Sequence, residues 1–140
     1  SHQERTLRLG GFIDRVDEKD NTVTILDYKT GQINPLNPPK GRDPGELAFY
    51  HNRKEMVQLL TYSILYPSQN EVRPGLISFT ALSNPYFWLP GKKLGEDLSK
   101  EARRMAHVIF DDILDEGKPF SQTEEEKACE YCPYRNICGR

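Results

Sequence analysis

The first part of the chain alternates apolar and polar residues in two neighbouring stretches, which predicts two β-strands. Residues 9–17 carry phenylalanine, isoleucine and valine among charged residues, and residues 22–30 are dense in threonine, valine, isoleucine and tyrosine. β-Branched and aromatic side chains suit the pleated surface of a sheet. The polar residues 18–21 between the two stretches predict a tight turn, so we expect an antiparallel β-hairpin.

Two later segments repeat their apolar residues at intervals of three and four, which predicts amphipathic helices. The first covers residues 46–66, is clearest from Arg53 onwards and is closed by Pro67. Its apolar stripe consists of Val57, Leu60 and Ile64. The second helix covers residues 96–117 and is followed by a glycine and a proline, which commonly end helices.

The remaining segments predict strands and a loop. Residues 73–82 have the apolar and β-branched character of a strand, and residues 86–89 predict a short further one. Residues 32–45 contain four prolines, which favours an extended loop, either ordered beside a substrate groove or disordered. Residues 91–95 predict a turn. The order of strands and helices indicates an α/β protein.

Composition narrows the class of protein. The chain has 140 residues, of which 36% are hydrophobic and 29% charged, as in a soluble globular domain. No run is long enough to span a membrane and no signal peptide is evident, so we expect a cytoplasmic protein. The net charge of −2 neither advertises nor excludes nucleic-acid binding. The basic residues that could touch a nucleic-acid backbone, or lie in a solvated loop, are Lys40, Arg42, His51, Arg53 and Lys54.

The hairpin brings together two aspartates and a lysine. A two-residue turn at residues 20–21 sets Asp14 opposite Asp27, and a turn at 19–20 sets it one diagonal away on the same face. Side chains alternate along a strand, so Asp27 and Lys29 share that face. Two carboxylates about 5 Å apart repel each other unless a cation joins them, and such oxygen ligands suit Mg²⁺ or Mn²⁺. The alternative is a solvated sheet face on which Lys29 pairs with one aspartate.

Two further groups of residues carry candidate chemistry. Gln58 and Tyr62 lie one turn apart on the first helix, where they would either reach one ligand or serve ordinary packing. Cys129, Cys132 and Cys138 are the three cysteines of the chain. Their odd number argues against a disulfide framework, and thiolates at this spacing suit Zn²⁺ or an iron–sulfur cluster.

The motifs GFIDRVD, ILDYKTG, QLLTY and CEYCPYRNIC resemble those of the RecB-like branch of the PD-(D/E)xK nuclease superfamily. The resemblance implies a restriction-endonuclease-like α/β core, a mixed central sheet flanked by helices. It also implies that Asp14, Asp27 and the backbone carbonyl of Tyr28 bind a divalent metal, that Lys29 is the catalytic lysine, and that Gln58 and Tyr62 belong to the active site.

The cysteine segment resembles that of the iron–sulfur members of this branch, such as AddB subunits of helicase-nucleases. The resemblance implies a 4Fe–4S cluster whose fourth cysteine precedes the first motif, and a leading helix bearing His or Glu. Neither is present here, so we expect an N-terminally truncated nuclease domain over residues 3–140, with a cysteine tail over 129–138. Ser1 and His2 resemble residues left by an expression vector.

The resemblance implies a metal-dependent DNA exonuclease that hydrolyses phosphodiester bonds in double-strand break repair, with DNA as substrate, a helicase-nuclease subunit as partner and no membrane association. The main alternative is a non-catalytic DNA-binding or structural module of such a complex. A third interpretation makes the tail a zinc site in a structural domain.

Overall fold

A computed structural model describes most of the chain in seven stretches: residues 8–34, 36–37, 40, 51–90, 98–119, 121–124 and 126–140. Its strands are β1 (Arg15–Lys19), β2 (Thr22–Lys29), β3 (Glu71–Ser78) and β4 (Tyr86–Trp88). Its helices are α1 (Lys54–Leu65) and α2 (Leu98–Leu114), with short 3₁₀ turns at His51–Arg53 and Glu126–Cys129. The predicted α/β class is confirmed.

The strands form one mixed sheet in the order β1-β2-β3-β4. The β1–β2 and β3–β4 pairs are antiparallel, whereas β2 and β3 are parallel. Parallel neighbours need a long crossover, and α1 lies in the crossover from β2 to β3. The parallel register places Lys29 at the end of β2 beside Ser78 at the end of β3.

The hairpin turn fixes the register between β1 and β2. Lys19 pairs with Thr22, so the turn consists of Asp20 and Asn21 alone. Both turn residues have positive φ, 49° and 61°, as a type I′ turn requires. This is the first of the two predicted registers. Continuing it by one residue beyond the Arg15–Leu26 pair sets Asp14 opposite Asp27.

The core lies between one face of the sheet and α1, which packs on β2 and β3 while α2 packs on α1. The most deeply buried members are Val23, Ile25, Met56, Leu59, Leu60, Leu76, Ala102 and Met105. The predicted stripe on α1 is confirmed at Leu60, which is fully buried, and Val57 and Ile64 pack against the core. The centre of the buried face is shifted, because Met56 and Leu59 are buried more deeply than Val57 and Ile64. No helix within the described residues is long and apolar enough to cross a membrane.

Several predicted boundaries differ from those of the structure. The first helix, predicted over residues 46–66, is α-helical only over Lys54–Leu65, and residues 46–50 lie outside the described part. The strand predicted over 73–82 ends at Ser78, whose N–H bonds to the carbonyl of Pro85 in a turn towards β4. The predicted turn at 91–95 also lies outside the described residues.

Candidate active site

The end of β2 presents Asp27 and Lys29 on the sheet face that α1 covers. Asp27 is buried, with 4% of its surface exposed, and its Oδ2 lies 2.7 Å from Lys29 Nζ. Tyr28 between them is exposed on the other face, where its ring lies 5.6 Å from that of Phe79. The alternation predicted from the sequence thus places the Asp27 carboxylate and the Lys29 ammonium side by side beneath α1.

A glutamine on α1 joins both of these side chains. Gln58 Oε1 accepts a hydrogen bond of 2.8 Å from Lys29 Nζ, and its Nε2 donates one of 2.9 Å to Asp27 Oδ1. Since an ammonium only donates and a carboxylate only accepts, a side-chain amide is suited to bridge them. The second Nε2 proton is donated to Tyr62 OH over 2.8 Å. Gln58 and Tyr62 therefore lie in one network with Asp27 and Lys29.

One oxygen of Asp27 has unused bonding capacity. Oδ2 is enclosed by protein and, apart from its close contact with Lys29 Nζ, makes no well-formed hydrogen bond within the described residues. Buried carboxyl oxygens normally accept hydrogen bonds, and a shortage of them is costly in free energy. An oxygen of this kind is suited to a cation or to a ligand that donates a proton.

Asp14 lies just outside β1 and is exposed to solvent. Its Oδ2 accepts a hydrogen bond of 2.8 Å from the backbone N–H of Tyr28. The carboxyl group thus takes a β2 donor that a longer β1 would have used, which explains why β1 starts at Arg15 and not at residue 9. Because the N–H and C=O of a strand residue point to the same side, the Tyr28 carbonyl also faces the Asp14 side of β2.

These residues supply a candidate donor set for a hard divalent cation. It comprises the Asp14 and Asp27 carboxylates and the Tyr28 carbonyl, all oxygen donors of the kind that Mg²⁺ and Mn²⁺ prefer. The observation that favours the fit is Asp27 Oδ2, which is buried, lies 2.7 Å from the Lys29 ammonium and accepts no well-formed hydrogen bond from the described residues. The described residues include no cluster of three or more His, Cys, Asp or Glu side chains placed to hold a metal. The candidate set contains two such side chains, those of Asp14 and Asp27, and its third oxygen is a backbone carbonyl.

The segment before Asp14 borders the site. A Cβ atom at Gly11 would lie 3.6 Å from Tyr62 Cε1, so the backbone there passes close to the tyrosine ring. Tyr62 is buried, with 7% of its surface exposed. The residue pattern predicted this stretch as part of the first strand, but it precedes β1 in the structure. Its approach to Tyr62 joins residues far apart in the chain, so it depends on long-range packing.

The cysteine tail is built from successive turns. Cys129, Cys132 and Cys138 are all free thiols of intermediate exposure. The Cys132 N–H bonds to the Cys129 carbonyl, and Gln122 Nε2 donates to the Cys138 carbonyl. The side chain of Arg140 ties the end of the chain to Glu126 over 3.3 Å. Thiolates are soft ligands that suit zinc or iron. The three cysteines do not form a metal-holding group among the described residues, so the predicted cluster stays a prediction.

A polar pair next to the site was not indicated by the sequence. Asn34 Nδ2 donates a hydrogen bond of 3.0 Å to Oε2 of Glu55, a residue that is only 2% exposed. Only the position of Glu55, three residues before Gln58, connects it with the site in the sequence. Of the predicted basic group, Arg42 lies outside the described residues and Lys54 is exposed, so a role in backbone contact stays a prediction.

Comparison with known proteins identifies relatives at the level of a family. A family model described as the PD-(D/E)XK nuclease superfamily matches residues 2–139, nearly the whole chain. No curated protein and no solved structure matches the chain.

Proposed function

The chain belongs to the PD-(D/E)XK nuclease superfamily, and from this premise we propose that it is a metal-dependent deoxyribonuclease with Asp14, Asp27 and Lys29 at its active centre. Nucleases of this superfamily generally use divalent metals. Mg²⁺ or Mn²⁺ would be held by Asp14, Asp27 and the carbonyl of Tyr28.

One observation carries the proposal. Lys29 Nζ lies 2.7 Å from Asp27 Oδ2 and 2.8 Å from Gln58 Oε1, while Asp27 Oδ2 accepts no well-formed hydrogen bond from the described residues. An ion pair on a solvated sheet face would not need a half-buried glutamine to orient both partners. Gln58 thus fixes the Lys29 ammonium next to a buried carboxylate oxygen of Asp27 that has hydrogen-bonding capacity left over.

The roles of the side chains follow from these contacts. A bound divalent cation supplies charge stabilisation at a phosphoryl oxygen and activation of water. The Lys29 ammonium donates a hydrogen bond to the attacking water or to the phosphoryl oxygen on which negative charge develops. Gln58 holds Lys29 by its carbonyl and Asp27 by its amide, so the two charged groups keep one geometry. The Tyr62 hydroxyl accepts from Gln58 and can donate its own proton to a backbone phosphate.

The finer assignments rest on the motifs that resemble the RecB-like branch. We propose DNA exonuclease activity in double-strand break repair, with a helicase-nuclease subunit as partner. We also propose that Cys129, Cys132 and Cys138 bind a 4Fe–4S cluster together with a fourth ligand from outside this group. The support for this proposal is the resemblance of the motif together with the free state of the three thiols, since thiolates are the ligands of such clusters.

Calorimetric titration with Mn²⁺ tests the metal site. We expect binding by the unaltered protein that is lost in Asp14→Ala and retained in Asp17→Ala, since Asp17 is paired with Arg15 at 2.8 Å on the hairpin. Equal Mn²⁺ binding by both variants would contradict the proposed ligands. DNA binding without cleavage in the presence of Mn²⁺ would favour the non-catalytic alternative.

The visible absorption of protein purified without oxygen tests the cluster. We expect a brown protein whose visible absorption disappears in Cys132→Ser, because that substitution removes one of the thiolate ligands of the cluster. A colourless protein that contains zinc would support the structural zinc site instead.

A further inference from the structure

Glu55 is a buried acidic residue that the proposed chemistry does not use. It lies in the first turn of α1 and is only 2% exposed. Its Oε2 accepts the hydrogen bond of 3.0 Å from Asn34 Nδ2, and its Oε1 lies 3.9 Å from Nζ of Lys54, whose side chain is mostly exposed. The amide of Asn34 is therefore its close polar partner.

The burial of Glu55 is unfavourable for the stability of the fold alone. Removing a carboxyl group from water costs free energy, which the contacts from the described residues, the Asn34 hydrogen bond and the long ion pair with Lys54, offset only in part. Its place in the first turn of a helix adds a modest favourable interaction with the helix dipole. An apolar side chain would fill the same space without the desolvation cost, so the carboxyl group calls for another explanation.

Among the described residues, the pair is a further link between α1 and the chain that leaves β2. Lys29 bonds to Gln58, and five residues later Asn34 bonds to Glu55, one helical turn before Gln58. Leu36 then enters the core with 7% of its surface exposed. The chain after the catalytic strand is thus attached to the helix and core at successive points.

We propose that Glu55 is a positioning residue, which acts through Asn34 to hold the segment after β2 against α1 and so sets the contact between Lys29 and Gln58. The inference rests on the proposed nuclease function, because it assigns Glu55 to the geometry of that site. Glu55 acts through other residues and does not contact the reacting atoms.

Steady-state kinetics of Glu55→Ala and Asn34→Ala test this role. We expect kcat for DNA cleavage to fall about ten- to a hundredfold, as for small displacements of catalytic groups, with KM and Mn²⁺ affinity unchanged. Glu55→Gln keeps an acceptor for Asn34. Because the hydrogen bond is retained, its kcat should stay within about threefold of that of the unaltered protein. It also guards against loss of folding in Glu55→Ala.

Val23→Ala is the matched control for lost stability. Val23 is fully buried in β2 but lies at the far end of the strand from Lys29. Assayed at a temperature at which every variant is folded, it should keep its kcat. A kcat for Glu55→Ala and Asn34→Ala equal to that of Val23→Ala would overturn the proposal.

Exchanging donor and acceptor gives a stricter test. Asn34→Asp alone places two carboxyl groups in contact and should lower kcat at least as much as Asn34→Ala. Adding Glu55→Gln restores an amide-to-carboxylate hydrogen bond with its direction reversed. We expect the double variant to recover most of the lost kcat, and a double variant no better than Asn34→Asp would contradict the proposal.

A spectroscopic measurement separates this inference from the proposed function. If the unaltered protein cleaves no DNA, the proposed function fails, and solvent exchange of the Gln58 side-chain amide protons, followed by NMR, decides the positioning role by itself. Those protons are donated to Asp27 and Tyr62. They should exchange faster in Glu55→Ala than in Val23→Ala, and equal rates would overturn the inference.

Discussion

Gln58 Nε2 donates a hydrogen bond of 2.9 Å to Asp27 Oδ1, which links α1 to the end of β2 across 31 positions of the chain. The same amide accepts from Lys29, so the orientation of the glutamine depends on both charged residues. The helix therefore contributes to the candidate site by orienting groups that the strand supplies.

Removing the glutamine should impair cleavage more than binding. In Gln58→Ala, Lys29 and Asp27 lose their common partner, and we expect kcat to fall about ten- to a hundredfold through misorientation. Thr61→Ala is the control, because its hydroxyl donates a hydrogen bond to the Val57 carbonyl on the same helix and, among the described residues, makes none to the site. A Gln58→Ala enzyme as fast as Thr61→Ala would show that the amide bridge has no catalytic importance.

Replacing Lys29 should separate metal binding from catalysis. Lys29→Met removes the charged donor but keeps the length of the side chain, and we expect kcat to fall about 10²- to 10³-fold. Mn²⁺ affinity, measured by calorimetry, should not decrease, since a competing positive charge has left Asp27. Lys19→Met, at the exposed hairpin end of β1, should leave both quantities unchanged. Loss of Mn²⁺ binding in Lys29→Met would contradict this division of roles.

The contact between Gly75 and Trp88 makes a prediction about stability. A Cβ atom at Gly75 would lie 2.6 Å from Trp88 Cε3, so Gly75→Ala should lower the free energy of unfolding by about 1–3 kcal/mol. Gly31→Ala is the control, since a Cβ there meets nothing within 4 Å. Denaturant unfolding measures both. In a Trp88→Leu background the cost of Gly75→Ala should shrink, and an undiminished cost would place its cause elsewhere.

The hairpin turn predicts opposite effects of two substitutions at one position. Asn21 has a φ of 61°, which costs a β-branched residue about 1–2 kcal/mol and costs glycine nothing. We therefore expect Asn21→Val to lower the melting temperature and Asn21→Gly to keep or raise it. Identical melting temperatures for the two variants would be inconsistent with a type I′ turn.

The sequence predicted what is determined locally. Two registers of the hairpin turn were open, at residues 20–21 and at 19–20, and in either one the period-2 alternation of β2 places Lys29 on the same face as Asp27. The i, i+4 spacing likewise placed Gln58 and Tyr62 side by side. These features follow from backbone geometry over a few residues, so a single sequence suffices to predict them.

Features that depend on packing over long distances were not predictable. The rotation of α1 about its own axis, which buries Met56 and Leu59, depends on the shape of the sheet beneath the helix. Neighbouring apolar positions satisfy the same helical period, so the sequence alone does not determine this rotation. The start of β1 depends on the bond between the Asp14 side chain and the Tyr28 N–H. The Asn34–Glu55 pair joins residues 21 positions apart, and neither residue type indicates burial.

Cleavage of labelled DNA in the presence of Mn²⁺ by the unaltered protein, Asp27→Asn and Asp17→Asn tests the central claim most directly. Asp27→Asn changes one charge in a buried side chain of the candidate centre, and Asp17→Asn changes one in an exposed pair with Arg15. We predict cleavage by the unaltered protein and by Asp17→Asn, and a loss of at least about a hundredfold in Asp27→Asn. Equal cleavage by all three proteins would contradict the assignment of Asp27 to the active centre.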